Sequence, residues 1–326
     1  MGLLQQTPKV TVLMPVFNGS QYLEEAIDSV LSQTFDDFEF LIIDDFSLDS
    51  SIEIIKSYDN TRIRLIENEY NIGQTASLNK GLKLAKGEYI ARIDQDDICM
   101  PYRLKNQVQF LNTTPNVAVL GSYFIHIDSD GNLLRYNKLP VNPNSNLFYI
   151  ISGKNPLIHP GVMYRKNIIE EIGGYRGKYM PSEDIDLWLR LYQNGYISEN
   201  IPEYLTKVRI HKMQTSKTQN NLQNYKHMLA FYSFYKSISR KNIDYYDIKQ
   251  YFNVLVWRNE KVSLNNFLKI LTIFLELYKN FNPPYKKGYN IFSKFQENRL
   301  FQLFGIINLI FRSNIYSIMI AKFWNK

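Results

Sequence analysis

The chain has 326 residues, 45% of them hydrophobic, which suffices for the core of one large domain or of one domain with an extension. Its single cysteine, Cys99, excludes an internal disulfide and a thiolate metal site, and it agrees with a reducing compartment. The net charge is +7, yet residues 221–326 hold 16 Lys and Arg against 5 Asp and Glu, so the rest of the chain is net acidic.

Strand and helix signals alternate over the first hundred residues. The runs KVTVLMP, FEFLIIDD, RIRLIE and EYIARID are short and β-rich, and the segments between them, such as SQYLEEAIDSVLSQ, place apolar residues at helical spacing. Strands separated by helices of this length predict βαβ units and a parallel sheet, and hence an α/β fold.

The signals become mixed after Pro101. A helix is predicted to about Asn112, then a hairpin with its turn at Asp130-Gly131, a strand in HPGVMYRK, a helix in SEDIDLWLRLYQNG and a last strand in EYLTKVRIHK. Helical patterns dominate beyond about Ser216. We therefore predict a domain over residues 1–216 and a helical, basic, aromatic-rich region over residues 217–326.

Two acidic clusters come at the ends of predicted strands. Asp44 and Asp45 close FEFLIIDD, and YIARIDQDDICMP supplies Asp94, Asp96 and Asp97. The carboxyl ends of parallel strands lie along one edge of a sheet, where ligands bind. Helix capping could explain one such aspartate, but both clusters together favour a site for a hard divalent cation, Mg²⁺ or Mn²⁺, shared with phosphates.

At this point the sequence resembles a known family. VTVLMPVFNGSQYLEEAIDSVLSQTFDDFEFLIIDDFSLDSS and NIGQTASLNKGLKLAKGEYIARIDQDD resemble the nucleotide-binding half of the family 2 glycosyltransferases, and HPGVMYRK, GGY and EDIDLWLRL resemble the acceptor half. The resemblance covers about residues 9–216. It implies the GT-A fold with a mainly parallel central sheet, a nucleotide-binding half at about residues 1–100 and an acceptor half at residues 101–216, followed by a C-terminal helical extension.

The resemblance also implies site residues for the donor. The nucleotide-binding residues would be Pro15, Phe17, Asn18, Asp45, Arg92 and Asp94. Asp45 would accept a hydrogen bond from the base, most naturally N3–H of a pyrimidine. The D-x-D pair Asp94 and Asp96, with His211, would hold the cation that bridges the diphosphate, and Asp97 would orient them from behind. For Arg92 a structural salt bridge, and for His211 an ordinary surface position, stay open as alternatives.

For the acceptor side, the resemblance assigns Asp184 as the general base. Glu183, His159 and Trp188 are predicted to contact the acceptor, although core packing is the simpler interpretation of Trp188. A carboxylate base opposite the leaving diphosphate favours a single displacement with inversion.

The sequence therefore predicts an inverting, metal-dependent glycosyltransferase of surface polysaccharide synthesis. It would use a nucleoside diphosphate sugar, most naturally a UDP-sugar, and a saccharide or lipid-linked saccharide acceptor. The alternative is a non-catalytic nucleotide-sugar-binding scaffold in a membrane-associated assembly. A nucleotidyltransferase or a dehydrogenase is disfavoured, because PVFNGSQY is not the glycine-rich loop that either would need.

The C-terminal segments VSLNNFLKILTIFLELY and RLFQLFGIINLIFRSNIYSIMIAKFWNK are apolar and edged by Lys, Arg, Tyr and Trp. Each uninterrupted apolar stretch is shorter than the roughly 18 residues expected of a spanning helix, and the N-terminus MGLLQQTPKV lacks the features of a signal peptide. We predict a cytoplasmic protein on the inner face of the cell membrane, with contact through these helices and no nucleic-acid partner. Packing on the catalytic body, or a homodimer interface, is the alternative.

Overall fold

The computed structural model describes residues 7–239 and 244–252, together with the isolated positions Ile270 and Ile273. Its first half alternates strictly between strands and helices. The order is β1 (Val10–Val16), α1 (Ser20–Leu31), β2 (Phe38–Asp44), α2 (Ser51–Lys56), β3 (Ile63–Glu67), α3 (Gln74–Leu84) and β4 (Tyr89–Arg92). This alternation confirms the predicted βαβ organisation.

The second half mixes short strands with helices. The elements are β5 (Ile98–Cys99), α4 (Arg103–Thr113), β6 (Val117–Ile127), β7 (Leu133–Asn137), α5 (Pro143–Ile151), β8 (Met163–Arg165), α6 (Lys166–Glu171), α7 (Glu183–Gln193), β9 (Ile197–Arg209), α8 (Thr215–Thr218), α9 (Asn220–Ile238) and α10 (Tyr245–Phe252). Strands β6 and β7 form the predicted hairpin, in which Gly131, at φ +86°, donates its N–H to the carbonyl of Asp128 at 3.2 Å.

The nine strands in the described part of the chain belong to one sheet in the order β3-β2-β1-β4-β8-β6-β9-β5, with β7 paired to β6. Strands β3, β2, β1 and β4 are parallel, as predicted. The sheet beyond β4 is mixed rather than mainly parallel, because β8 runs antiparallel to β4 and β6, and β5 runs antiparallel to β9. The site is built where β1, β2 and β4 end together.

Helices cover both faces of this sheet, which explains why β1 and β2 are buried along their whole length. Helix α1 buries Leu23, Ala26, Ile27 and Val30, a stripe at helical spacing, in one core layer. On the other face α3 and α7 bury their apolar residues in a second layer. The aspartates at the strand ends are therefore held by a rigid double-sided core.

Helix α9 packs into the same core as the sheet and its helices. Met228, Phe231, Phe234 and Tyr235 of α9 lie in the same hydrophobic core as Trp188 of α7. The predicted boundary at residue 216 falls in α8, whereas α9, which carries this packing, begins at Asn220.

Most of the C-terminal segments predicted to contact a membrane lie outside the described residues. None of the helices that the structure describes combines the length and the apolar composition needed to cross a bilayer.

Candidate active site

The turn after β4 gathers three carboxylates. One carboxylate oxygen from each of Asp94, Asp96 and Asp97 lies within 4.8 Å of the others. Asp97 is buried, and its burial, reinforced by the charges of Asp96 and Asp94, raises its pKa well above the usual range. Burial likewise raises the pKa of Asp94 to about 6, with the charge of Asp96 adding to the rise. Crowding of this kind favours a cation among the carboxylates.

Arg92, the last residue of β4, is the buried cation of this cluster. Its guanidinium forms a bidentate ion pair with Asp94, in which Nη1 donates to Oδ2 at 2.6 Å and Nη2 contacts Oδ1. The Arg92 side chain is 2% exposed and that of Asp94 is 27% exposed, so the guanidinium lies beneath a partly exposed carboxylate. The structure therefore gives Arg92 the salt bridge that the sequence left as an alternative, and its contact with a nucleotide stays a prediction.

The end of β9 lies against the turn that carries Asp94, Asp96 and Asp97, which we call the acidic turn. The backbone N–H of Arg209 donates to Oδ1 of Asp97 at 2.9 Å, and Nε2 of His211 lies 2.8 Å from Oδ2 of Asp96. His211 thus lies beside the Asp96 carboxylate, and its binding of a cation stays a prediction.

Asp184 lies in the first turn of α7, half-buried. Its Oδ1 accepts the backbone N–H of Ile185, and its Oδ2 accepts Nδ2 of Asn155, both at 2.8 Å. Burial raises the pKa of Asp184, and the charge of Asp184 contributes to the raised pKa of Asp94. The carboxylate of Asp184 is therefore close enough to Asp94 of the acidic turn to act on its pKa.

Glu183, next to that base, is buried at 4% exposure, and its Oε2 has no hydrogen-bond partner in the described part of the chain. Burial, followed by the charge of Asp184, raises the pKa of Glu183 to about 7. The two neighbouring carboxyls thus have different surroundings, since Asp184 has two hydrogen-bond donors to its oxygens.

The residues predicted to bind the nucleotide lie mainly in and after β1 and β2. Phe17 is half-exposed, and Gln95 of the acidic turn binds it twice, accepting the Phe17 N–H at 2.8 Å and donating to its carbonyl at 3.1 Å. Asn18, at φ +48°, accepts the N–H of Leu48 at 2.8 Å. Pro15 is buried in β1, beside Ile43 of β2. Three distant segments therefore meet at one edge.

The carboxylate of Asp45 is buried and accepts three hydrogen bonds from other residues of the chain. Its Oδ1 accepts Nδ2 of Asn68 at 2.8 Å and the N–H of Ile72 at 2.9 Å, and its Oδ2 accepts the N–H of Gly73 at 2.8 Å. Asp45 consequently fixes the loop before α3, and a base would share a carboxylate that already holds this loop.

Two predicted acceptor contacts lie beneath the site. Trp188 is fully buried and packs edge-on against His159, with ring centroids 6.1 Å apart, which agrees with core packing, the simpler of its two interpretations. Its contact with an acceptor stays a prediction. His159 is 9% exposed and its Nε2 lies 3.0 Å from the hydroxyl of Tyr175. Trp188 falls in the core because α7 turns its indole side toward the sheet.

Sequence reasoning missed three residues that arrange the site: Gln95, Asn155 and Arg209. Gln95 lies between the two aspartates of the D-x-D pair, and Arg209 lies in the last predicted strand, two residues before His211, so their positions were signals that could have been used. Asn155 lies in a segment without periodic pattern, where no such signal exists.

The residues present fit a divalent cation. Carboxylate oxygens of Asp94 and Asp96 and an imidazole nitrogen of His211 are donors that Mn²⁺ accepts, and the oxygens alone suit Mg²⁺. The raised pKa of Asp94 indicates an electrostatic environment that a cation would relieve.

Comparison with solved structures identifies the fold. TarS of S. aureus, solved in complex with UDP-GlcNAc, superposes with a TM-score of 0.61 at 18% identity, covering 84% of this chain and 81% of that one. The mannosyltransferase PcManGT of Pyrobaculum calidifontis, solved with GDP-Man and Mn²⁺, gives a TM-score of 0.56 at 15% identity, covering 99% and 89%. The mixed sheet with its acidic turn is that of the GT-A glycosyltransferases.

Sequence comparison then gives the family. The model of glycosyl transferase family 2 matches residues 11–173. An uncharacterised glycosyltransferase of Methanocaldococcus jannaschii, MJ1057, is 32% identical over 83% of this chain and 88% of its own length. The O-antigen biosynthesis glycosyltransferase WbnJ of Escherichia coli is 32% identical over 64% and 82%. The chain belongs to glycosyltransferase family 2.

Proposed function

We propose that this glycosyltransferase moves a sugar from a UDP-sugar to a saccharide or lipid-linked saccharide acceptor in the synthesis of a surface polysaccharide. The catalytic unit would span residues 1–216. The observation that carries the proposal is the proximity of Asp184 to the acidic turn, because sugar transfer needs both a stabilised leaving group and a base.

Two relatives support the donor and the product class. The TarS structure contains UDP-GlcNAc, and WbnJ acts in O-antigen biosynthesis, as their names state. The same two chemistries, a nucleotide sugar as donor and a growing glycan as acceptor, are the ones that we propose for this chain.

Asp94, Asp96 and His211 would hold a Mn²⁺ or Mg²⁺ ion, which as a Lewis acid stabilises negative charge on a departing diphosphate. Asp97 would keep these ligands in place from behind, since its carboxylate is tied to the backbone of Arg209. The half-exposed ring of Phe17 and the carboxylate of Asp45 would bind the nucleoside. Oδ2 of Asp45 accepts one described bond and retains a lone pair for N3–H of a pyrimidine.

Asp184 would remove the proton of the acceptor hydroxyl. The two hydrogen bonds from Asn155 and Ile185 fix the orientation of its carboxylate, and they also favour the charged form that accepts a proton. Attack by that hydroxyl opposite the leaving diphosphate would form the new glycosidic bond as the old one breaks, with inversion at the anomeric carbon.

The basic C-terminal region would bring this site to a membrane carrying a lipid-linked acceptor. The proposal rests on sequence: residues 221–326 carry an excess of Lys and Arg together with Tyr and Trp.

The test is transfer from a panel of nucleotide sugars to a saccharide acceptor in the presence of Mn²⁺, measured as released nucleotide. The wild type is expected to release UDP from a UDP-sugar, and NMR of the transferred sugar should show the inverted anomer. Both Asp96→Asn, which removes a cation ligand, and Asp184→Asn, which removes the base, should lower kcat by at least about 100-fold. Full activity of Asp184→Asn would refute the base assignment, and a retained anomer would refute the single displacement.

A further inference from the structure

Arg209 is buried at the end of β9, and its guanidinium reaches three separate segments. Nε donates to the carbonyl of Asp96 at 3.1 Å, Nη1 donates to the carbonyls of Asp128 and Ser129 at 3.3 and 3.2 Å, and Nη2 pairs with the carboxylate of Glu25. A single side chain therefore joins the acidic turn, the β6–β7 turn and helix α1.

The backbone of the same residue adds a further link, because its N–H donates to Oδ1 of Asp97 at 2.9 Å. Two positions later, His211 lies 2.8 Å from the Asp96 carboxylate. Both side chains rest on Tyr22 of α1, with Cζ of Arg209 4.5 Å from its ring centroid and the His211 ring centroid 5.1 Å away. Three contacts thus join the end of β9 to the acidic turn. Arg209 makes two of them, and His211 makes the third.

We propose that Arg209 is a positioning residue for the metal site, one that holds the Asp96 backbone and the end of β9 so that the Asp96 carboxylate and the His211 imidazole stay together. This inference rests on the proposed function, since it concerns the metal site proposed there. A planar guanidinium with five donors can serve four acceptors at once, whereas an ammonium group cannot reproduce that fork. Residues that orient metal ligands in this way control metal affinity.

Charge alone predicts the opposite effect. Arg209 is a cation close to the site, so its removal would strengthen the binding of a divalent cation if electrostatic repulsion were its only influence. A positioning role predicts weaker binding instead. The sign of the change in Mn²⁺ affinity therefore separates the two roles.

The experiment measures Mn²⁺ binding to the full chain by electron paramagnetic resonance of free Mn²⁺, without nucleotide and without turnover. Arg209→Lys keeps the positive charge but loses the planar guanidinium with its several donors, and Arg209→Met loses both the charge and the donors. We expect each variant to bind Mn²⁺ about 10-fold more weakly or worse than the wild type. Circular dichroism establishes that each variant is folded.

Arg165 provides a matched control, since it also donates to backbone carbonyls, those of Val117, Leu111 and Thr114. It ends β8, beside Tyr89, the first residue of β4, and thus serves the opposite end of that strand from the acidic turn. Arg165→Lys should lower stability and leave Mn²⁺ affinity unchanged.

A milder pair keeps the inference testable if the Arg209 variants fail to fold. Glu25→Gln removes the carboxylate that anchors Nη2, whereas Glu24→Gln removes the same charge from the adjacent exposed position of α1, which is not among the bonds described for Arg209. Glu25→Gln should weaken Mn²⁺ binding by a larger factor than Glu24→Gln does. Equal effects in this pair would contradict the positioning role.

Unchanged or tighter Mn²⁺ binding by folded Arg209→Lys overturns the inference and leaves the proposed function standing. A wild type that binds no Mn²⁺ overturns the proposed metal site, and this inference with it.

Discussion

Two neighbouring carboxyls at the start of α7 differ because their hydrogen-bond partners differ. Asp184 has donors to both oxygens, which stabilise its charge, while Oε2 of buried Glu183 has no partner in the described part of the chain. The pKa of Glu183 rises to about 7, so this acid is substantially protonated near neutral pH.

This difference gives a prediction for stability. The pKa of Glu183 in the folded chain, about 7, exceeds its ordinary value of 4.5, so the folded state binds more protons than the unfolded chain between these pH values. Ionisation of Glu183 should therefore cost stability as the pH rises through this window. We expect the melting temperature of Glu183→Gln to rise relative to that of the wild type from about pH 4.5 to about pH 7, as measured by scanning calorimetry.

Glu24→Gln is the control, because Glu24 is exposed on α1. Its difference from the wild type should not follow the same trend. A pH-independent difference for Glu183→Gln would show that Glu183 ionises with its ordinary pKa.

At the residue scale, the acidic residues of the candidate site could be predicted from the sequence, whereas some of the residues that position them could not. Acids at strand ends could be predicted, because parallel strands bring their carboxyl ends to one edge. Asn155 could not, since the bond that it makes depends on a loop path that no local pattern encodes. Trp188 lies in the core, which is the simpler of its two interpretations. Helix α7 is buried on nearly every side, so its spacing does not indicate which face would meet an acceptor.

Helix α7 is held in place by a buried ion pair behind the base. Asp186, whose side chain is 3% exposed, pairs with both Arg176 and Arg190, and Arg190 also donates to the carbonyls of Ile172 and Gly174. The loop that precedes α7 is therefore fastened to the helix that carries Asp184.

Removing the shared carboxylate should destabilise the protein strongly. Asp186→Asn leaves two arginines without their anion, and we expect the free energy of unfolding to fall by about 3 kcal/mol in urea denaturation at neutral pH. Glu170→Gln, which breaks the exposed pair with Lys166, should cost less than about 1 kcal/mol. Equal costs for the two variants would contradict a structural role for the Asp186 network.

At the element scale, the parallel half of the sheet followed from alternating strand and helix signals. In the mixed half the β6–β7 hairpin and the strands β8 and β9 were also predicted, but the two-residue β5 was not, because it is too short to show an alternation. The antiparallel pairing of β8 with β4 and β6 could not be predicted either, because no local pattern indicates which strands pair. Helix α5 was missed although Asn142 caps it, accepting the N–H of Ser145 at 2.9 Å, and Pro143 occupies its first turn. That capping signal was present in the sequence and was not used.

At the scale of the whole molecule, α9 packs its aromatic residues into the core that also contains α7. Aromatic residues at helical spacing suit a membrane interface and a protein core equally, so composition alone could not distinguish them. In the structure, Phe231, Phe234 and Tyr235 of α9 lie in the core. The sequences after residue 252, apart from Ile270 and Ile273, lie outside the described residues, and their membrane contact stays a prediction.

The central claim is that the acidic turn and Asp184 form one site with two separate roles. The acidic turn binds a nucleotide through a cation, and Asp184 acts as the base for the acceptor. Calorimetric titration of UDP in the presence of Mn²⁺ tests this claim most directly, applied to the wild type, Asp96→Asn and Asp184→Asn. We predict that Asp96→Asn loses the Mn²⁺-dependent part of UDP binding, while Asp184→Asn binds UDP as the wild type does. Undiminished binding by Asp96→Asn, or loss of binding in Asp184→Asn, would contradict it.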